Sequence, residues 1–136
     1  MKMKIVMITG IITLLISCHP STSPNTTSPI KKGMIKVTIL YPNGEGKTFD
    51  MDYYSNNHMP MVARLLGDSL KFFEIDKGVM GQRPDVEIPF LAIGYLYFDE
   101  LSDFQNAFAP NAEIIRDDIH NYTNIQPLIQ ISEVLK

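Results

Sequence analysis

Apolar and polar residues begin to alternate at Met34, and the alternation continues to Tyr41. Period-two alternation is typical of a strand with one buried face, so a first strand is predicted over residues 34–41. Apolar and aromatic residues then recur at helical spacing as far as Leu66, after Asp50, which is a suitable N-cap. Pro60 lies inside this predicted helix and indicates a kink or a break, because proline lacks a backbone donor.

The remaining sequence predicts three more strands and a second helical layer. Residues 90–98 are apolar at both odd and even positions, apart from Gly94, so both faces of this strand should be buried. Pro127 lies within the last apolar stretch and indicates an edge strand or a bulge. The predicted elements are strands at 70–75 and 90–98, a helix at 100–109 that Pro110 ends, a helical piece at 111–120 and a strand at 125–134.

This order of elements, β-α-β-β-α-β, predicts an α+β domain of the ferredoxin-like kind. In that arrangement an antiparallel four-stranded sheet carries two helices on one face. The other face of the sheet must also be covered, because the central strand is apolar on both sides. We therefore predict a homodimer in which two sheets pack together.

The N-terminal segment has the features of an export signal. Lys2 and Lys4 precede an apolar run at 5–16, which is shorter than the roughly 20 residues that span a bilayer. The end of this run and the two residues after it, Leu15-Ile16-Ser17-Cys18, resemble a bacterial lipobox. The resemblance implies cleavage before Cys18, a lipid on its sulfur and acylation of the new amine, as with palmitate. The alternative is an ordinary secretory signal with an incidental cysteine.

These features predict three regions along the chain. Residues 1–17 form the signal peptide, residues 18–33 form a Pro/Ser/Thr-rich tether, and residues 34–136 form one domain. The domain would be anchored to a bacterial membrane in the cell envelope and face the periplasm or the exterior. Cys18 is the only cysteine, so its lipidation would exclude thiol catalysis and thiolate metal sites.

The charge argues against a nucleic-acid partner. The net charge is -3, and without Lys2 and Lys4 the mature chain would carry 10 basic against 15 acidic residues, about -5. Nucleic-acid binding relies on a basic surface, which this composition does not supply.

Residues 49–61 resemble the helix signature of the EthD family, in the dimeric α+β barrel group. The resemblance implies a ferredoxin-like protomer, sheet-to-sheet pairing and a small cavity between helices and sheet. The barrel group contains cofactor-free monooxygenases, isomerases, cyclases, dehydratases and haem enzymes, and a shared fold does not choose among them. The matching residues are Phe49, Tyr53, Tyr54, His58, Pro60 and Met61.

His58 is the candidate proton acceptor or donor. Tyr54 precedes it by four residues, so both lie on the apolar stripe of the helix. Partial burial would keep the imidazole neutral near pH 7, where it can act as a general base or acid. Tyr54 could orient the ring, and Asp118 could do so from across the pocket. In the alternative interpretation, His58 is a helix-end histidine bonded to backbone or a carboxylate, and Asp118 lies on solvated surface.

Tyr53, Tyr95 and Tyr122 are predicted to line the pocket. No group of residues has the spacing of a catalytic metal site, so neither a metal nor a cofactor is predicted. Haem ligation by His58 or His120 stays open as an alternative. We therefore expect a protein that binds a small oxygenated or aromatic molecule, with acid–base chemistry of a dehydratase, isomerase or oxygenase type. The alternative function is a non-catalytic binding module or a structural envelope lipoprotein.

Overall fold

The computed structural model describes residues 28–136. The predicted signal peptide, Cys18 and the tether as far as residue 27 lie outside this described part. The strands are β1 (Ile35–Pro42), β2 (Phe72–Lys77), β3 (Phe90–Phe98) and β4 (Leu128–Glu133), and the α-helices are α1 (Met51–Tyr53), α2 (Met59–Leu66), α3 (Leu101–Phe108) and α4 (Ala112–Asp117).

The four strands form one antiparallel sheet in the order β2-β3-β1-β4, which confirms the ferredoxin-like prediction. Alternation along each strand decides which face a side chain joins. Val37 of β1 pairs with Leu96 of β3, and both are buried beneath the helices. Odd positions of β1 and even positions of β3 therefore face the helices, and the other positions lie on the opposite face, called here the outer face.

The first helical layer runs from Met51 to Leu66 without the break expected at Pro60. The side chain of Asp50 caps its start by accepting from the backbone N–H of Tyr53 at 3.0 Å. The five residues Tyr54–His58 between α1 and α2 form a π-helical turn instead. Proline cannot donate to the carbonyl four residues earlier, and its ring crowds that carbonyl. A wider turn just before Pro60 accommodates both effects.

Strands β1, β2 and β4 have bounds that differ from the predictions. The strand predicted at 70–75 begins later, at Phe72, because a 3₁₀ turn (Gly67–Ser69) extends the helical layer beyond α2. Gly67 has φ of 56°, a left-handed conformation in which a residue without Cβ is favoured. The last strand is an edge strand, as Pro127 indicated, and it begins one residue after this proline.

The second helical layer is α3, a 3₁₀ turn (Ala109–Asn111), α4 and a final 3₁₀ turn (Asp118–Asn121). Asn111 links the two layers, because its Nδ2 donates to the carbonyl of Leu65 at 3.1 Å and to that of Ala107 at 2.8 Å. The start of α1 is tied to the segment after α4, where the Asp50 N–H donates to the Tyr122 carbonyl at 2.7 Å. Among residues 28–136, no helix is long and apolar enough to cross a membrane.

Candidate active site

A cavity of about 280 Å³ lies between the helix-side face of the sheet and the two helical layers. Its walls come from β1, β3 and β4 below and from α2, α3 and α4 above. Within the described residues, only four of the lining side chains are polar, and these are Tyr41, His58, Arg116 and Gln126. An apolar pocket with a few polar groups is the usual form of a small-molecule site.

His58 is held against Asp118 at the wall of this cavity. The π-helical turn presents His58 inward with 4% of its surface exposed, and its Nδ1 lies 2.8 Å from Oδ2 of Asp118. Asp118 also accepts from the Tyr53 hydroxyl at 2.9 Å and from Nδ2 of Asn121 at 2.8 Å, both through Oδ1. Three donors thus fix the carboxylate that orients the imidazole.

The surroundings set the charges of this pair. Burial lowers the pKa of His58 below its ordinary value and outweighs the opposing hydrogen bond and charge of Asp118. Burial raises the pKa of Asp118, but hydrogen bonds from His58, Asn121 and Tyr53 hold that pKa below its usual range. At neutral pH the imidazole is therefore neutral and donates Nδ1–H to an ionised carboxylate. Its Nε2 carries the lone pair and makes no hydrogen bond within residues 28–136.

Aromatic side chains surround the imidazole. The ring of Tyr54 stacks on that of His58, with centroids 5.6 Å apart and planes at 17°, and the Tyr122 ring lies 4.6 Å away. The hydroxyls of Tyr41 and Tyr122 form a buried hydrogen bond of 2.7 Å. Burial raises the pKa of both phenols well above the usual range, so both stay protonated. Tyr41 lines the cavity and brings a neutral hydroxyl close to the imidazole cluster.

Comparison with known proteins places the chain in a family. Residues 43–126 match the EthD domain. The chain belongs to the EthD family. A crystal structure of an EthD-like protein from Ralstonia eutropha JMP134 is 39% identical, with a TM-score of 0.74, over 78% of this chain and 96% of that chain. An ethyl tert-butyl ether D (EthD) family protein from Bacillus halodurans C-125 is 20% identical, with a TM-score of 0.58, over 75% and 99% of the two chains, which supports the fold alone. A search of curated proteins finds no match.

The EthD domain brings five of the six predicted site residues together. His58, Asp118, Tyr53, Tyr54 and Tyr122 form one connected cluster. Of these residues only His58 lines the cavity, so Tyr53 and Tyr122 do not form its walls as the sequence predicted.

Tyr95 does not join this cluster. Tyr95 occupies an odd position of β3 and therefore lies on the outer face. There the centroid of its ring is 5.7 Å from Nζ of Lys36. The proposal that Tyr95 lines the pocket is therefore not carried further.

Tyr54 supports the site without lining the cavity. Its side chain is fully buried, and its hydroxyl is the one buried side-chain polar atom among residues 28–136 that has no hydrogen-bond partner. Gly94 of β3 lies directly beneath it, and a Cβ there would overlap the hydroxyl. Burial also raises the pKa of Tyr54 well above its usual range. Tyr54 therefore positions His58 by stacking and does not hydrogen-bond to it.

Sequence reasoning missed three of the four polar residues that line the cavity, and these are Tyr41, Arg116 and Gln126. Tyr41 has the same parity along β1 as Val37, and this parity is the sequence signal that it faces the helices. Arg116 precedes Asp118 by two residues, and nothing in the local sequence distinguishes it from a solvated arginine. Two other arginines, Arg64 and Arg83, are exposed and do not line the cavity.

Within residues 28–136, no group of three or more His, Cys, Asp or Glu side chains could hold a metal ion.

Proposed function

We propose that this EthD domain binds a small, largely apolar molecule in the cavity and that His58 exchanges a proton with it. The observation that carries the proposal is the His58–Asp118 pair at the wall of an otherwise apolar cavity. A neutral imidazole with Nδ1–H fixed by a carboxylate has its basic nitrogen available for a ligand. Tyr41 lines the same cavity, and its hydroxyl can donate to a ligand oxygen when the Tyr122 hydroxyl is the donor of their shared hydrogen bond.

The proposed chemistry is proton transfer next to a carbonyl group. Nε2 of His58 takes the proton of an adjacent C–H bond, and the electron pair of that bond moves to give an enolate oxygen. The Tyr41 hydroxyl donates to this oxygen, while Asp118 stabilises the imidazolium that forms. Return of the proton from Nε2 to another carbon is an isomerisation, and its transfer to a departing hydroxyl is a dehydration that releases water.

The test is to purify the chain in detergent, record its visible spectrum and identify bound small molecules by native mass spectrometry. We expect a bound carbonyl-containing or aromatic molecule. In deuterium oxide, the purified protein should catalyse exchange of the proton next to the carbonyl group of that molecule for deuterium. His58→Gln should abolish the exchange, whereas Arg64→Gln, which changes an exposed residue outside the cavity, should retain it.

Two outcomes would contradict the proposal in different ways. If the native protein binds a small molecule but does not exchange its C–H proton for deuterium, the domain is a non-catalytic binding module. A haem or flavin absorption band would replace acid–base chemistry by chemistry of that cofactor.

We also propose that two copies pair through their outer sheet faces. Half-buried apolar and aromatic side chains occupy this face, and no element of residues 28–136 covers it. Ile93→Glu would place a charge at the centre of this face and should convert a dimer into a monomer in sedimentation-equilibrium measurements. A wild-type monomer would refute the pairing. The half-buried members of this face are Leu40, Phe72, Leu91, Ile93 and Tyr95, while Tyr97 is buried and Leu128 is exposed.

The lipid anchor at Cys18 remains a proposal that rests on the sequence. Two or more acyl chains per protomer would hold the domain at a membrane, because one chain anchors only weakly. Intact-mass measurement of the membrane fraction should show a mass increase from acyl groups, and Cys18→Ala should remove it. An unmodified chain that is released from cells would show that the signal is an ordinary secretory one.

A further inference from the structure

A second depression, of about 330 Å³, adjoins the cavity and differs from it in polarity. Polar side chains and backbone contribute about half of its wall, and His120, Thr123 and Asn124 are among its lining residues. The two spaces share Arg116, Ile119 and Gln126. The apolar cavity and the polar depression are therefore neighbours, and Arg116 borders both.

Arg116 is an exposed cation that borders the cavity. Its guanidinium makes no ion pair and no side-chain hydrogen bond within residues 28–136. Glu113 and Asp117, the acidic residues on the same helix, do not pair with it. With His58 neutral, Arg116 is the charged side chain of the cavity wall among the described residues.

The position of Arg116 is matched to an anionic end of a ligand. Arg116 is exposed, whereas His58 is 4% exposed, so the arginine lies at the mouth and the imidazole lies at the buried end. Arginine binds carboxylates through paired N–H donors and is less strongly hydrated than lysine. The chain carries a net charge of -3, so attraction of an anion must come from this local group.

We infer that the ligand is a small amphipathic acid whose apolar body fills the cavity and whose carboxylate lies at Arg116. This inference rests on the proposed function and adds the class of ligand to it. The carboxylate stays at the solvent-facing end, where it keeps part of its hydration, and the group that meets His58 and Tyr41 is at the other end. Gln126, which also lines both spaces, supplies an amide at the same mouth.

The test uses two probes with one apolar body, 2-naphthoate and 2-naphthamide, and measures Kd by isothermal titration calorimetry with the full chain in detergent. We expect the native protein to bind the carboxylate roughly three- to tenfold more tightly than the amide, as for a partly solvated ion pair. In Arg116→Gln the ratio of the two Kd values should fall to near one, and Arg116→Lys should retain part of it. Arg64→Gln, which changes an exposed arginine outside the cavity, should retain the native ratio.

The outcomes separate the two proposals. If both probes bind with equal Kd, or if Arg116→Gln retains the preference, the assignment of Arg116 is wrong while binding in the cavity stands. If neither probe binds, the cavity does not accept an apolar body of this kind, and both proposals fail.

Discussion

Asp118 and Glu74 each accept a hydrogen bond from a tyrosine hydroxyl, but they lie on opposite sides of the sheet. Asp118 accepts from Tyr53 at 2.9 Å, and Glu74 accepts from Tyr97 at 2.7 Å. Asp118 also accepts hydrogen bonds from His58 and Asn121, and its side chain is largely shielded from solvent. Glu74 is exposed, and Tyr97 is the one side chain among residues 28–136 that donates a hydrogen bond to it.

The difference shows what makes a carboxylate part of a candidate site. In both pairs the tyrosine pKa is raised: that of Tyr53 first by its hydrogen bond to Asp118 and then by burial, and that of Tyr97 first by burial and then by its hydrogen bond to Glu74. Only Asp118 orients a group that can exchange protons near neutral pH, and that group borders a cavity. The outer face offers Glu74 no such base and no enclosed space. The covering helices, and not the tyrosine–carboxylate contact, turn one face of the sheet into a site.

The largest predicted effect tests how tightly the helix-side face is packed. Gly94→Ala should lower the free energy of unfolding by about 3 kcal/mol, because the new methyl group would overlap the buried Tyr54 hydroxyl. Tyr54→Phe should by itself be neutral or slightly stabilising, since that hydroxyl has no partner in the described structure. Urea unfolding of both single variants and the double variant checks this.

The double variant supplies the control for Gly94→Ala. Removing the hydroxyl should restore a large part of the stability lost, so the two effects should not add. Additive effects would mean that the methyl group collides with something other than Tyr54.

A smaller loss is predicted for the carboxylate of the site. Asp118→Asn should cost about 2 kcal/mol of stability, because an ionised acceptor of three hydrogen bonds is replaced by a weaker one. It should also lower the pKa of His58 further, because Asp118 is the group that raises it. Urea unfolding and an NMR titration of His58 measure the two effects. An unchanged His58 titration would show that the carboxylate does not act on the imidazole.

The smallest effect is predicted on the outer face. In the monomeric Ile93→Glu variant, Tyr97→Phe should cost at most about 1 kcal/mol, because Glu74 is exposed in a single protomer and water can replace the lost donor. The same substitution should leave binding of 2-naphthoate unchanged, since Tyr97 does not line the cavity. A loss of binding comparable to that of a His58 variant would mean that the two faces are not independent.

Local pattern predicted most of the fold, because each element carries its own signal. Strand β3 was predicted at its observed bounds, and the cap at Asp50 and the edge position of the last strand are also present. The π-helical turn was not predicted, since it results from how the backbone adjusts around Pro60.

The site was only partly accessible to sequence reasoning. His58 and Asp118 are 60 residues apart, and their 2.8 Å contact depends on packing between the two helical layers, which no local pattern encodes. Tyr95 was chosen for its residue type, whereas parity along β3 excludes it from the helix side. Arg116 depends on the shape of the cavity mouth, which arises from packing between distant segments and leaves no local trace in the sequence.

The most direct test of the site is the protonation of His58, followed by NMR of protein labelled with ¹⁵N-histidine. At pH 7 we predict a neutral ring with the proton on Nδ1, assigned by comparison with His58→Gln. Because burial lowers the folded-state pKa, the ring should titrate below the ordinary value of about 6.5, and this residue's contribution to stability should be lost as pH falls below 6.5. A ring that titrates at or above 6.5, or that carries its proton on Nε2 at pH 7, would contradict the proposed base.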